Sequence, residues 1–182
     1  MAKIERLAHV GVHVRDMDRS LAFYRDVLGL EVTDDDSAHG MVFLSSRPEV
    51  EHHEVLLCGG RTAGEQELWL QQISFRCPSL EDVLAYYQRF REHNVRIEYT
   101  VTHGNAIGVY FFDPDGNRCE VYWPTGLTAK QGYLEALDFS RSAEELIEQV
   151  RRSVAEHGAD GYVDTRLLSG IDVGLDEQPA AP

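Results

Sequence analysis

The feature that most restricts the fold is an internal repeat. Shifting the chain by 63 residues lays His9 on Gln72, Val10 on Ile73 and Val12 on Phe75. The same shift carries "SLAFYRD" (residues 20–26) onto "VLAYYQR" (residues 83–89) without a gap. Further along, "HHEVLLCGG" (residues 52–60) falls on "RCEVYWPTG" (residues 118–126) at an offset of 66, so that Glu54 meets Glu120 and Val55 meets Val121. The three extra residues read as a difference in loop length. Two small copies of one unit each expose an apolar sheet face, and those faces must be buried.

Each copy has the same local grammar. Leu7, His9, Gly11 and His13 alternate with Ala8, Val10, Val12 and Val14, which predicts a strand. A helix follows, with Asp16 as N-cap in the first copy and Ser79, three residues before Asp82, making a capping-box-like start in the second. Leu21, Tyr24 and Leu28 form the apolar face of the first helix, and Gly29 suits its left-handed C-terminal position. Short strands are expected at residues 30–33, 41–45 and 53–58, and again at 96–101, 106–112 and 118–123. "DPDG" (residues 113–116) is a tight turn. The expected class is α+β: two tandem βαβββ modules, about residues 4–60 and 67–126, forming a cupped mixed sheet in one paired domain over residues 1–126.

Residues 127–182 are a C-terminal extension with a helix at about 142–157, apolar along Leu146, Ile147, Val150 and Val154 and ended by Gly158. That helix is expected to pack on the outside of the domain or on a second subunit. The final stretch, through "DEQPAAP", reads as disordered.

Composition removes some partners. A net charge of -14 argues against nucleic acid and anionic membranes. The apolar runs are only a few residues long, and "MAKIERLAHV" lacks the apolar segment of a secretory signal, so a cytoplasmic location is expected. Cys58, Cys77 and Cys119 are odd in number and lack metal-binding spacing, so they read as reduced thiols. The expected partner is a small-molecule substrate.

The chemistry concentrates on the repeat. His9 and Gln72 lie on the first strand of each module, Glu54 and Glu120 on the last. Closing a sheet into a cup sets first and last strands side by side, so the four side chains can converge. Imidazole and oxygen donors on rigid strands suit a divalent first-row metal.

"LAHVGVHVRDMDRSLAFYRDVLGLEV" and "GVYFFDPDGNRCEVYW" resemble the vicinal oxygen chelate superfamily, over roughly residues 4–124. That group contains glyoxalase I, type I extradiol dioxygenases, fosfomycin-resistance enzymes and bleomycin-resistance proteins. The resemblance implies paired modules around a metal, with His9, Glu54, Gln72 and Glu120 at the ligand positions. "HGNAIGVYFFDPDGNRCEVY" is similar to the extradiol segment in which a histidine precedes a strand and a tyrosine lies inside it, and this implies His103 and Tyr110 as acid–base groups. The leading reading is a ring-cleavage dioxygenase of catecholic substrates, of the kind used in aromatic compound catabolism. Its metal is Fe(II), with Mn, Zn, Ni or Co as the other choices, held by His9, Gln72 and Glu120. The chain departs from the dioxygenase pattern at Gln72, where a second histidine stands. Two alternatives stay open: a glyoxalase-type lyase, isomerase or epimerase using all four ligands, and a metal-free small-molecule binding or resistance protein.

Plainer readings compete at each position. His9 alone reads as a hydrogen-bonded strand histidine; its repeat partner and motif turn it into a ligand. His52 and His53 read as a solvent-facing pair, and alternation turns His53 away if Glu54 faces inward. His13 shares the face of His9. His39 and His93 read as surface residues, and His103 as either a catalytic group or a turn residue. Tyr24 and Tyr87 match in the two helices, which favours core packing. Trp69, Phe75, Phe112, Tyr122 and Trp123 supply core and pocket aromatics. Arg118 reads as solvent-exposed, with binding of an anionic group as the alternative. A homodimer is expected from the apolar face of the tail helix; a monomer is the alternative, since one chain carries both modules.

Overall fold

The computed structural model describes residues 6–64, 67, 70–130, 132–164 and 167. Trp69 and the "DEQPAAP" stretch lie outside the described residues. Strand β1 (Val10–His13) leads to helix α1 (Met17–Ala22), which widens into a π-helical turn over Phe23–Val27. Asp16 caps that helix by accepting the Arg19 amide at 3.0 Å. Gly29, at φ 78°, turns the chain back. Strands β2 (Glu31–Asp36), β3 (Met41–Ser45) and β4 (Val55–Cys58) complete the first module. The second follows the same order: β5 (Ile73–Arg76), α2 (Leu80–Glu92), β6 (Ile97–Thr102), β7 (Ala106–Phe112) and β8 (Arg118–Pro124). Ser79 caps α2 through the Asp82 amide, and its hydroxyl also donates to the Asp82 carboxylate at 2.6 Å. Beyond the modules lie β9 (Glu135–Ala136) and α3 (Ala143–His157).

The strands form two mixed sheets, ordered β1-β4-β3-β2 and β5-β8-β7-β6-β9. In each, the first strand runs parallel to the last and the other pairs are antiparallel. Each module has a bulge at the same place, at Thr33 in β2 and at Glu98 in β6. Val12, Val42, Leu44, Val55 and Leu57 pack with Phe23 and Tyr24 in a core that continues through Ile107, Phe111, Val121, Leu80 and Phe90.

The first strand is shorter than its alternation suggests. A strand extends only as far as its partner, and β4 begins at Val55, level with Val10. His9, Glu54 and Gln72 therefore each stand one residue before a strand, while Glu120 lies within β8.

The "DPDG" turn ties the modules together. Asp113 accepts the Tyr24 hydroxyl at 2.9 Å. Asp115 accepts Arg15 Nε at 2.8 Å, an Arg19 guanidinium nitrogen at 3.0 Å and Ser20 Oγ at 2.9 Å. Both carboxylates are buried. From the other side, Tyr86 donates to the Leu28 carbonyl at 2.6 Å.

The extension packs onto this body. β9 pairs with the edge of β6, setting Glu135 level with Thr102. A capping box at Ser142 and Glu145 starts α3, and Leu146 and Val150 are fully buried. Burying each is worth roughly 1.5–3 kcal/mol. That apolar face is thus covered within the chain, which removes the reason for expecting a dimer from it. Cys58, Cys77 and Cys119 are free thiols. Among the described residues no helix is long and apolar enough to cross a membrane.

Candidate metal centre and acid–base site

Register places the site. Ser74, Glu120, Tyr110 and Tyr99 stand level with one another, one each on β5, β8, β7 and β6. The matching level of the first sheet holds Gly11, Leu56, Phe43 and Asp34. A carboxylate in the middle of the sheet is therefore a property of the second module.

Register also corrects the equivalence of Glu54 and Glu120. Val10 stands level with Val55, and Ile73 with Cys119, so the last strands correspond at an offset of 64 rather than 66. The ladder counterpart of Glu54 is Arg118, and Glu120 lies two residues deeper, roughly 6.6 Å along the strand. A two-residue shift preserves the face, which is why the motif match survives it.

Glu120 is 5% exposed. It accepts Ser74 Oγ at 2.6 Å and Gln72 Nε2 at 3.5 Å, and Tyr110 stands level with it on the neighbouring strand. These donors are neutral. The nearby Arg118 is committed elsewhere: to Glu98 at 2.6 Å, to the Tyr99 hydroxyl, to Gln72 Oε1 at 3.3 Å and to the face of Tyr110 at 4.2 Å. The expectation that Arg118 is solvent-exposed is thus overturned, because the Glu98 bulge offers it an internal partner. A buried carboxylate served by neutral donors is costly. Gly108 makes room for it, since a Cβ there would lie 2.8 Å from Glu120 Oε1. Sequence reasoning missed Ser74 and Gly108; neither has a signal outside the register.

On the far side of Glu120, Tyr110 Oη lies 3.1 Å from His103 Nε2, and His103 Nδ1 lies 3.0 Å from the Tyr133 carbonyl. Burial pushes the Tyr110 phenol well up, and the charge of Glu120 adds to this, so the hydroxyl stays protonated. The phenol and the imidazole are in hydrogen-bond contact, and Glu120 stands beside the phenol on the neighbouring strand.

His9 is exposed, and its ring centre is 4.3 Å from that of His53, which also packs edge-on to Phe43. His53 therefore faces His9 rather than away. Alternation fails there because residues 53 and 54 precede β4. Glu54 accepts the Ser46 amide at 2.9 Å, the Ser46 hydroxyl, and Arg47 Nε at 2.9 Å. Burial pushes its carboxyl up, but the Ser46 and Arg47 bonds outweigh that and hold it below its ordinary range. Nothing in the repeat signalled Ser46 or Arg47. A cavity of about 840 Å³ between the modules is lined by His9, Arg47 and Glu54 from one side and by Gln72, Ser74 and Tyr86 from the other.

These contacts test the fit of a metal. Among the described residues, no three His, Cys, Asp or Glu side chains stand together in a way that could hold one. Glu54 fits poorly, because Arg47 already matches its charge. The imidazole of His9, the amide oxygen of Gln72 and the carboxylate of Glu120 are a suitable donor set. Glu120 is the member that a cation would relieve.

A fold of paired βαβββ modules with these side chains on the strands of the second defines a recognisable class. The family model of the Glyoxalase/Bleomycin resistance protein/Dioxygenase superfamily matches residues 6–121, and the chain belongs to that superfamily. It is similar to Biphenyl-2,3-diol 1,2-dioxygenase 3 of Rhodococcus globerulus, 32% identical over 126 residues, covering 66% of this chain and 64% of that protein. It is also similar to the Manganese-dependent 2,3-dihydroxybiphenyl 1,2-dioxygenase of Geobacillus genomosp. 3, 24% identical over 125 residues, covering 67% of this chain and 38% of that protein. The chain thus spans less than two thirds of the length of these relatives. Among solved structures, an integron cassette protein from the Halifax Harbour sewage outfall metagenome is 27% identical with a TM-score of 0.51, covering 66% of this chain and 99% of that one. The fosfomycin resistance protein FosX of Listeria monocytogenes, solved with Mn(II) and sulfate, shares the fold at 21% identity and a TM-score of 0.55, covering 67% and 92%.

Proposed function

We propose that the chain is a metal-dependent extradiol-type dioxygenase that cleaves the ring of a catecholic aromatic substrate in the cytoplasm. A divalent metal, Fe(II) first and Mn(II) next, is held by His9, Gln72 and Glu120, with His103 and Tyr110 as the acid–base pair. The observation that carries this reading is the hydrogen-bond contact of Tyr110 with His103 beside the buried carboxylate of Glu120. The similarity to two biphenyl-diol dioxygenases supports it. The metal, when bound, would supply open positions where two adjacent hydroxyls chelate and become acidic. Glu120 and the Gln72 amide oxygen would face it, the latter exchanging its Arg118 hydrogen bond. Tyr110, kept neutral, presents a hydroxyl proton within the cup, and His103 takes or returns a proton at Nε2. Leu28, Leu30 and Phe75 line the cavity and suit an aryl ring.

Anaerobic loading with Fe(II) or Mn(II), metal analysis, and oxygen uptake over a panel of catechols test the proposal. The expected result is stoichiometric metal, lost in His9→Ala and Glu120→Ala, and oxygen uptake with at least one catechol. No uptake and no yellow ring-fission product with any catechol overturns it. The four-ligand, glyoxalase-type reading needs Glu54 on the metal. With Arg47 and Ser46 occupying that carboxylate, Glu54→Gln is expected to keep at least half the wild-type metal content; loss of metal would favour the four-ligand set.

A further inference from the structure

We infer that the C-terminal extension is a positioning device for the acid–base histidine: the main-chain carbonyl of Tyr133 holds His103 with its proton on Nδ1, leaving the Nε2 lone pair turned to the Tyr110 hydroxyl. The catalytic consequence rests on the role proposed above for His103; the tautomer does not.

A carbonyl oxygen only accepts, so the contact of 3.0 Å requires the proton on Nδ1. A neutral imidazole then has Nε2 as an acceptor, and Tyr110 Oη at 3.1 Å must be the donor. The other tautomer would set a ring lone pair against the carbonyl oxygen. A flipped ring would lose both contacts.

The extension holds that carbonyl firmly. Tyr133 is 1% exposed. Its hydroxyl is clasped by Glu135 Oε2 at 3.0 Å and by Ser153 on α3. The other oxygen of Glu135 accepts Gln149 Nε2, also on α3, at 2.9 Å. Glu135 itself lies in β9, level with Thr102, the residue before His103. The extension also rests directly on the turn: a Cβ on Gly104 would meet Ala129 Cβ at 2.4 Å and Val154 Cγ2 at 3.1 Å.

The first module provides an internal control. The repeat supplies a His-Gly pair at the same turn of both modules, His39-Gly40 and His103-Gly104, with glycine φ values of 76° and 74°. Around Gly40 the space is open, the nearest atom to a Cβ being the Gly59 nitrogen at 4.0 Å. The His39 side chain is 76% exposed and bonds Asp36, three residues earlier. The turn is common to both modules. What distinguishes His103 is the tail lying over it and the Tyr110 hydroxyl beside its Nε2.

The test starts with imidazole nitrogen resonances of the intact, metal-free chain labelled with 15N-histidine, His103 being assigned by His103→Asn. The Nδ1–H tautomer is expected. An Nε2–H tautomer overturns the inference whether or not the enzyme turns over catechols, which separates its failure from that of the proposed function. Tyr133→Ala, which removes the clasped ring, is expected to give a tautomer mixture and a kcat about tenfold lower or more, with KM changed less than about twofold. Tyr133→Phe, which keeps the ring, is expected to restore most of both. A folded Tyr133→Ala protein with the wild-type tautomer and kcat overturns the positioning role. If Tyr133→Ala does not fold, the wild-type tautomer alone decides.

Discussion

Gly108→Ala is the sharpest single test of how the site is built. Gly108 sits on β7 directly opposite Tyr122, two residues before Tyr110. A Cβ added there would lie 2.8 Å from Glu120 Oε1, 3.0 Å from the Val121 carbonyl oxygen and 3.2 Å from Tyr122 Cβ. Ordinary carbon–oxygen contacts begin several tenths of an ångström further out. The carbonyl belongs to a paired strand and cannot retreat cheaply, so the carboxylate must move. Overpacking of this kind costs about 1–3 kcal/mol, which for a chain of this size is a fall in Tm of about 2–12 °C. The displaced carboxylate would also loosen its bond from Ser74. The expected outcome is a modest loss of stability with a larger loss of bound metal, read by thermal melting and by metal analysis after dialysis. A Gly108→Ala protein with wild-type Tm and metal content would refute the claim that glycine at this position makes room for the carboxylate.

Two further perturbations follow from the contacts. Asp115→Asn removes the charge that joins α1 to the "DPDG" turn, and stability at pH 7 is expected to fall by about 1–3 kcal/mol. Burial pushes the Asp115 carboxyl up, but the Arg15, Ser20 and Arg19 contacts outweigh this and hold it below its ordinary value. Its contribution is therefore complete above the unfolded value near ~3.9 and is lost as pH falls through the lower folded value. Asp113 has the opposite sign: burial raises it, so its contribution is present at low pH and lost as pH rises through the raised value. Urea melts from pH 2 to 7 should show a flatter acid limb for Asp115→Asn, and an unchanged limb would refute the assignment. Tyr110→Phe should lower kcat by on the order of 10², measured by oxygen uptake. The double variant with His103→Gln should lose little more than the worse single; additive losses would mean the two side chains do not act as a unit.

Much of the fold was legible because it rests on periodicity. The caps at Asp16 and Ser79 and the glycine at position 29 are local signals, and each appears where local chemistry puts it, while the alternation from Ala8 to Val14 marks a strand that its partner shortens to Val10–His13. Some contacts among the candidate residues were legible by residue type. His103 and Tyr110, singled out by resemblance, lie in hydrogen-bond contact, and Gln72 reaches Glu120. The misreadings share a cause. Glu54 and Glu120 match in motif, but hydrogen-bond register across strands depends on the partner strand. For His53, alternation gives a direction by a period that does not apply outside a strand.

The sequence by itself determined that there are two modules, what each contains, and which residue types meet at their sheet faces, because repetition and periodicity are properties of neighbours along the chain. Tertiary structure decided which of those residues share a site. Ser74 donates to Glu120 across 46 residues, Arg118 turns inward to Glu98, and the Tyr133 carbonyl meets His103 across 30. Such pairings are set by register and by the packing of the extension against the second sheet, and neither leaves a local trace.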